Sequence, residues 1–532
     1  MRALPLVALV GCATEPAAPP TPVRPPNIIL VSLDTTRADH TTPYGSVHDT
    51  TPTLARLAEQ GTLFTQAFSQ SNESAYSHGA MFTGRYASEL AEPTYATYGL
   101  PDQATLVSEA LRAYGYRTGM FSAGGHVTRD YGFDQGWDHA RFATGFGSIW
   151  ASGSAAAKWI EGGPDQPYFV FVHGYDAHRP YSREGFWDHL FADGPGSDVA
   201  ELLACSPCLS EMVRGDTLYP ELVPSWFRHK GGAQVMDPAS YDRLTHPPEN
   251  TVRVPVTEAD KAHIQAHYDG SLRYSDTLLG TTLARLEAAG KLENTVVIVT
   301  SDHGEDLLDH GYMNHRTGLW DTCTRVPLVV WGPGFEGGHT VDSLVEARDV
   351  AATVLALAGA LPPAGSGGRD LRAVARGESP IDAVFMEGVM HDVSVRTATH
   401  RLLYRGPSLA EADYADQLAA ADASELVLYD LRSDPTEQTN IASDQPAVVA
   451  ELRDRLVAWR RSLKTGAYTL PQDQVSPEAA AAMREHGYWE AGGPPPTTVA
   501  TSTHTPTPPK GPMDDPDQFC GERHRFLSGG SE

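Results

Sequence analysis

Cysteine, positive charge and long apolar runs are all in short supply in this chain, and each shortage closes off a class of protein. Five cysteines among 532 residues are too few for a disulfide scaffold. Cys12 falls in a leader-like segment, which leaves Cys205, Cys208, Cys323 and Cys520. No thioredoxin-like unit surrounds Cys205-Ser206-Pro207-Cys208, and no further ligand pair stands beside it for zinc. A small disulfide pinning a long loop is the expected use of that pair. Lysine and arginine total 40 against 67 aspartates and glutamates, a formal net charge of -27. Phosphate backbones need clustered cations, so nucleic acid is excluded as a partner, and the acidity reads as a solubility device. A membrane-spanning helix needs about twenty consecutive apolar residues, and no such run occurs.

What is present begins with a leader. Met1-Arg2-Ala3-Leu4-Pro5-Leu6-Val7-Ala8-Leu9-Val10-Gly11-Cys12 has one positive charge, a short apolar run, small residues and then cysteine, the pattern of a secretion signal. Leu9-Val10-Gly11-Cys12 resembles the bacterial lipoprotein box, in which the cysteine is lipidated. That resemblance implies an extracytoplasmic protein, periplasmic or at the cell surface, whose membrane contact is the lipid anchor alone. Residues 13–26, with six prolines, form a tether.

From Asn27 onward short β-branched runs alternate with helical patterns: strand 28–33, helix 52–60, strand 64–68, helix 104–114, strands 116–122 and 168–174. Alternation of this kind predicts an α/β fold, three layers with a mainly parallel sheet flanked by helices. Residues 182–256 have no clear period and read as an insertion over the active face. A long amphipathic helix is expected over 257–290, then strands 295–300 and 326–331 and a helix 346–358. Near 380 the pattern turns to short, antiparallel-looking strands, 383–387, 393–397 and 402–405, closed by a helix 445–463. The expected organisation is therefore a catalytic domain over 27–380, a small α+β subdomain over 381–490 and a disordered Pro/Thr/Gly-rich tail over 491–532.

Chemistry is written where strands end. Leu30-Val31-Ser32-Leu33 runs into Asp34, and Val296-Val297-Ile298-Val299-Thr300-Ser301 runs into Asp302-His303. Ligands sit outside the carboxyl ends of strands in an open parallel sheet, so these two ends are placed to share one metal ion. A third segment, Ser74-Ala75-Tyr76-Ser77-His78-Gly79-Ala80-Met81-Phe82-Thr83-Gly84-Arg85, starts polar and continues helical. Ser74 then stands at a helix N-terminus, where free N–H groups favour an oxyanion, and a divalent cation would activate its weakly nucleophilic hydroxyl.

Together these motifs resemble the sulfatases of the alkaline-phosphatase superfamily over about residues 27–490. The resemblance rests on Asp34 and Arg37 after the first strand, Ser74 with Thr83-Gly84-Arg85, and Ser301-Asp302-His303-Gly304-Glu305. It extends through Arg325-Val326-Pro327, Leu428-Tyr429-Asp430 with Glu437 and Asn440, and the ending His486-Gly487-Tyr488. Carried over position by position, it implies that Asp34, Asp302 and His303 ligate one divalent cation, calcium foremost by family, with manganese, zinc or magnesium as alternatives. Ser74 takes the nucleophile position, and His178 and His315 contact the substrate and assist catalysis. His78 is also expected at the substrate, while His173, Asp176 and His310 are softer candidates.

Departures from the family bear on the reaction. Where sulfatases mature a Cys or Ser to formylglycine, Pro or Ala follows two residues later and Arg four later; here Tyr76 and His78 stand in those places. Formylglycine at Ser74 is therefore doubtful, and Thr35 replaces a second acidic residue, leaving the first cluster one carboxylate short. A hydrated formylglycine expels sulfate by hemiacetal collapse, whereas an unmodified serine is better suited to phosphoryl groups. The expected activity is metal-dependent hydrolysis of a small-molecule or glycan sulfate ester, extending to phosphate esters through unmodified Ser74. Rival readings are a phosphatase or phosphodiesterase, a phospho-group transferase, and an inactive surface-binding protein.

Overall fold

The strands that carry the expected ligands are apolar on both faces, and that doubles as an instruction for where they go. In β1 (Asn27–Leu33), Ile28 and Leu30 pack into one core while Ile29, Val31 and Leu33 pack into another. The same split divides Phe169 and Phe171 from Val170 and Val172, and Val296 and Ile298 from Val297 and Val299. Side chains alternate across a strand, so a continuous apolar run buries both faces of a sheet between helices.

The structure is a computed structural model that describes residues 24–90, 99–183, 186–192, 194, 196–205, 213–218, 253–389, 391–406 and 413–463. Its central sheet adds β2 (Thr62–Phe68), β3 (Arg117–Ser122), β4 (His139–Phe142) and β5 (Tyr168–Gly174) to β1. A small sheet comes from β6 (Val213–Arg214), β7 (Thr217–Leu218) and β8 (Val254–Pro255). After it, β9 (Thr295–Thr300), β10 (Leu328–Trp331) and β11 (His339–Glu346) complete an eight-stranded order β11-β2-β10-β9-β1-β5-β3-β4. Only β10 pairs antiparallel to its neighbours, β9 and β2. Helix α1 (Pro52–Gln60) and the helices Ile149–Glu161 and Glu258–Ala288 line one face, through Leu54, Leu57, Ile160, Leu279, Leu283 and Leu286. Helix α2 (Ser74–Thr83) and the helix Asp349–Ala358 line the other.

A second, antiparallel sheet, β12 (Ala383–Glu387), β13 (Asp392–Thr397), β14 (His400–Arg405) and β15 (Leu426–Asp430), packs under the helix Pro446–Ser462. The three-layer, mainly parallel expectation holds, with several corrections. The helix expected at 104–114 is only Val107–Ala113, and the one expected at 346–358 starts at Asp349 because β11 runs to Glu346 and a turn at 347–348 follows it. The insertion is not structureless: it holds the helix Asp198–Cys205 and β6 to β8. Leu203, Ala204, Val213 and Leu218 there pack with Ala177, Tyr181, Leu307 and Leu308, which follow β5 and β9, so its described part covers the carboxyl ends of the strands. Among the described residues no helix is long and apolar enough to cross a membrane. The leader with Cys12, most of the tether, Cys208, Cys520, the His486 ending and the tail lie outside the described residues.

Candidate active site

Sheet register brings the site together. Ser32 of β1 pairs with His173 of β5 on one side and with Thr300 of β9 on the other. Asp34, His173 and Asp302 therefore emerge from adjacent strands at one edge, and the Asp34 N–H donates to the Gly174 carbonyl at 3.0 Å. Polar residues 69–73 lead from β2 into α2, all of them buried, and Glu73 in extended backbone starts the helix with Ser74. The Ser74 hydroxyl lies 3.1 Å from Asp34 Oδ2 and 3.2 Å from His303 Nε2. His303 Nδ1 faces the Gly304 carbonyl at 2.9 Å. That oxygen can only accept, so Nδ1 carries a proton and Nε2 is the nitrogen turned to Ser74.

Asp34, Asp302 and His303 offer ligand atoms all within 4.8 Å of one another. Asp34 Oδ1 and Asp302 Oδ2 are buried without a hydrogen-bond partner, the nearest nitrogens to the latter being His303 Nε2 at 3.4 Å and His78 Nδ1 at 3.6 Å. Burial foremost, and then the Asp302 carboxylate, push the Asp34 pKa well above its ordinary value. Burial opposes ionisation of Asp302 too, but His303 and His78 beside it hold it low. Two neighbouring buried carboxylates that each keep an orphaned oxygen are what a bound divalent cation relieves. The residues fit such an ion: oxygen donors suit calcium or magnesium, and the imidazole admits manganese or zinc.

The turn after β1 is held tightly. Thr35 has φ 56°, a left-handed backbone that a β-branched residue adopts only under constraint. Its N–H donates to Asp302 Oδ1 at 3.2 Å and its hydroxyl to the Asp34 backbone carbonyl at 2.7 Å, so Thr35 fastens the turn to Asp302. Tyr268, from the long helix, donates to the Thr35 carbonyl at 2.7 Å and accepts from the Arg37 N–H at 2.9 Å. Arg37 bridges Asp39 at 2.7 Å and Asp309 at 2.6 Å, tying the loops after β1 and β9.

The histidines divide into two groups. His303 stacks on His315 with ring centroids 4.1 Å apart, and His315 lies 5.6 Å from His178, so these three are contiguous. His178 Nδ1 donates to the Arg179 carbonyl at 2.8 Å, and His315 Nδ1 lies 3.3 Å from Glu305 Oε1. Burial first holds both rings well below the ordinary imidazole value, helped at His178 by His315 and at His315 by His303. His78 is placed differently from the expected substrate contact. Its ring is wholly buried, with Nδ1 on the Ser74 carbonyl at 2.8 Å and Nε2 on Ser32 Oγ at 3.0 Å. With both nitrogens taken, it braces the first turn of α2 against β1. His173 joins the site through Nε2, 3.2 Å from Asp34 Oδ2. Asp176 instead caps the helix Ile149–Glu161 through the Ile149 N–H at 2.6 Å, and His310 pairs with Asp306 at 3.0 Å and stacks on Trp320.

Three residues were not anticipated. Glu73, immediately before Ser74, pairs with His126 and with Arg316 at 3.3 Å. Burial opposes its charge, yet His126 and Arg316 hold its pKa low. Tyr175 places its hydroxyl 3.3 Å from the His126 N–H, and burial and then Asp34 push its pKa well up. Only glycine fits at 125, since a Cβ there would stand 2.1 Å from the Tyr175 hydroxyl. Arg316 follows His315 directly and was hidden by that neighbour; none of the three sits in a spacing pattern that announces it.

Comparison with known proteins supplies a family and a fold. Residues 26–360, more than half of the chain, match the Sulfatase family, and residues 308–462 match the family described as N-sulphoglucosamine sulphohydrolase, C-terminal. The arylsulfatase K of Bos taurus is 25% identical over 465 residues, covering 81% of each chain. A structure solved in complex with its substrate D-glucosamine-2-N,6-O-disulfate superimposes with a TM-score of 0.62 at 19% identity, over 83% of this chain and 98% of its own. The phosphonate monoester hydrolase of Agrobacterium radiobacter superimposes with a TM-score of 0.58 at 20% identity, over 82% and 95%. By family, then, the chain belongs to the sulfatases, hydrolases of sulfuric esters, with the alkaline-phosphatase-like fold.

Proposed function

We propose that the chain hydrolyses sulfate monoesters of sugars or other small molecules, with Ser74 as nucleophile and a divalent cation held by Asp34, Asp302 and His303. The observation that carries this reading is the Ser74 hydroxyl at the start of α2, 3.1 Å from Asp34 and 3.2 Å from His303. When bound, the cation would lower the serine's pKa and polarise the ester oxygens. Everything else falls to the chain's own groups. The N-terminal end of α2, where Ser74 stands, carries the partial positive charge that favours the charge developing on the ester oxygens. His173 and Thr35 hold Asp34 and Asp302 in place.

His178 and His315 act through Nε2, because Nδ1 of each is engaged by Arg179 and Glu305. Burial depresses the pKa of both rings, and an incoming anion raises it and makes Nε2–H a donor to the bridging oxygen. The sulfated-glucosamine complex of the structural relative supports a sugar sulfate as the class of substrate.

Phosphoryl esters are the second reading, favoured by Tyr76 and His78. Tyr76 is buried in the core and His78 braces β1, so neither place is filled by the proline and arginine that accompany formylglycine. Aryl sulfate and aryl phosphate offered in parallel test both. Ser74→Ala is expected to lower turnover at least a thousandfold, an order set by loss of covalent catalysis, with the circular dichroism spectrum unchanged. Ser74→Ala protein as active as wild type refutes the assignment, and the ratio of the two substrates decides between the readings.

A further inference from the structure

A second group of ligating side chains meets away from the catalytic cleft. His263 and His267 stand four residues apart on the helix Glu258–Ala288, which puts them on one face. Glu201 reaches them from the helix Asp198–Cys205, and His189 from residues 186–192 of the insertion. Ligand atoms of His189, Glu201 and His267 all lie within 4.8 Å of one another. His263 Nε2 is 3.0 Å from Glu201 Oε1 and 3.1 Å from His267 Nε2, and Glu201 Oε2 is 3.9 Å from His267 Nε2. His267 is buried, and its Nδ1 has no hydrogen-bond partner.

Imidazole Nε2 atoms facing each other beside a carboxylate are the donors a zinc ion takes. In a tetrahedral site with zinc–nitrogen bonds of 2.0–2.1 Å, neighbouring ligand atoms are about 3.4 Å apart. His263 Nε2 stands close to that value from Glu201 Oε1 and His267 Nε2, at 3.0 and 3.1 Å, and the other Glu201 oxygen is 3.9 Å from His267 Nε2. Two histidines at i and i+4 on a helix are a recurrent half of such sites.

We propose that His189, Glu201, His263 and His267 hold a structural zinc ion that clamps the start of the insertion onto the long helix. His189, Glu201 and His267 group together and His263 touches the latter two, so protein side chains would supply the coordination sphere of a structural site. The clamp joins elements that already approach closely: Gly270 lies so near the Trp187 carbonyl that a Cβ would stand 2.1 Å from it, and a Cβ on Gly196 would stand 2.5 Å from His263. Tyr268, adjacent to His267, carries the hydroxyl that holds Thr35 and Arg37. The zinc thereby steadies both the cover over the strand ends and the helix that grips the catalytic turn.

Metal content of the full chain, loaded with zinc and freed of loose metal by dialysis, tests this independently of catalysis. Asp302→Asn protein, with the active-site ligand group broken, is expected to keep one equivalent of zinc. Adding His263→Gln and His267→Gln removes it, and His189→Gln, an exposed change that spares the core, weakens zinc retention at least tenfold. Cobalt substituted into Asp302→Asn protein shows the intense visible bands of a four-coordinate ion, absent from the triple variant. Zinc at background in Asp302→Asn protein overturns the proposal, as does an equal content with and without the histidine changes.

Discussion

Asp34 and Asp302 would repel each other if both were charged and alone, and the residues around them are arranged to make that pairing tolerable. Asp302 Oδ1 accepts from the Thr35 and His303 N–H groups at 3.2 and 3.0 Å, while Asp34 Oδ2 lies near Ser74 and His173. Each acid keeps one unpartnered oxygen, and those two oxygens define where a cation belongs. Asp302→Asn is expected to abolish cation binding at the catalytic site, read as loss of the activity that added metal restores to chelated wild type. Tyr268→Phe tests the support beneath: it deletes bonds to the Thr35 carbonyl and the Arg37 N–H, both buried. A cost of about 1–3 kcal/mol in denaturant unfolding is expected, the price of leaving buried backbone groups unpaired, with a fall in kcat larger than any change in KM. Unchanged stability and kcat would mean the turn is held by other contacts.

At the level of elements, the C-terminal sheet is part of the catalytic apparatus. The Glu387 N–H at the end of β12 donates to the Gln70 carbonyl at 2.9 Å, and the Val389 N–H approaches Asn72 Oδ1 at 3.4 Å. Asn72 also donates to the Gly318 carbonyl at 3.0 Å. The loop that delivers Ser74 is thus fastened from two sides, and Asn72→Ala is expected to lower kcat about tenfold with helix content intact, a 1.4 kcal/mol misplacement of the nucleophile. Activity equal to wild type would show that the loop needs neither fastening. Elements such as β1, β5, β9 and the long helix were legible because apolar runs and a sustained helical period are local signals. The strands β4 and β11 were not: the former is four residues long and the latter follows two glycines with its first two residues exposed. The helix Ile149–Glu161 was missed because its face is built from small residues such as Ala156 and Ala157. Asp34, Ser74, Asp302 and His303 could be read because strand ends and a helix start place them. Glu73, Tyr175 and Arg316, like the His189–His267 group, depend on partners from separate segments and leave no spacing to read.

Over the whole molecule, a buried ion-pair cluster joins the two sheets. Arg401 of β14, buried, pairs with Glu437 at 2.6 Å and with Asp321 of the main domain. Replacing it with methionine leaves the buried Glu437 carboxylate without its cation, while Asp321 keeps Arg396 at 3.2 Å, and a loss of about 3–5 kcal/mol is expected in unfolding experiments; a loss below about 1 kcal/mol would show that solvent reaches the pair. Chelation acts on the other pole: a cation at a hundredfold its Kd contributes about 2.7 kcal/mol, so EDTA is expected to lower the Tm and added metal to restore it. All of these meet in the claim that Ser74 attacks the ester on a cation held by Asp34, Asp302 and His303. Its most direct test is acid quenching during turnover, followed by mass spectrometry of the peptide containing Ser74. An unmodified serine that gains one sulfo or phospho group, absent from Ser74→Ala protein, is the predicted result. A bare serine throughout turnover, with Ser74→Ala protein still active, would contradict it.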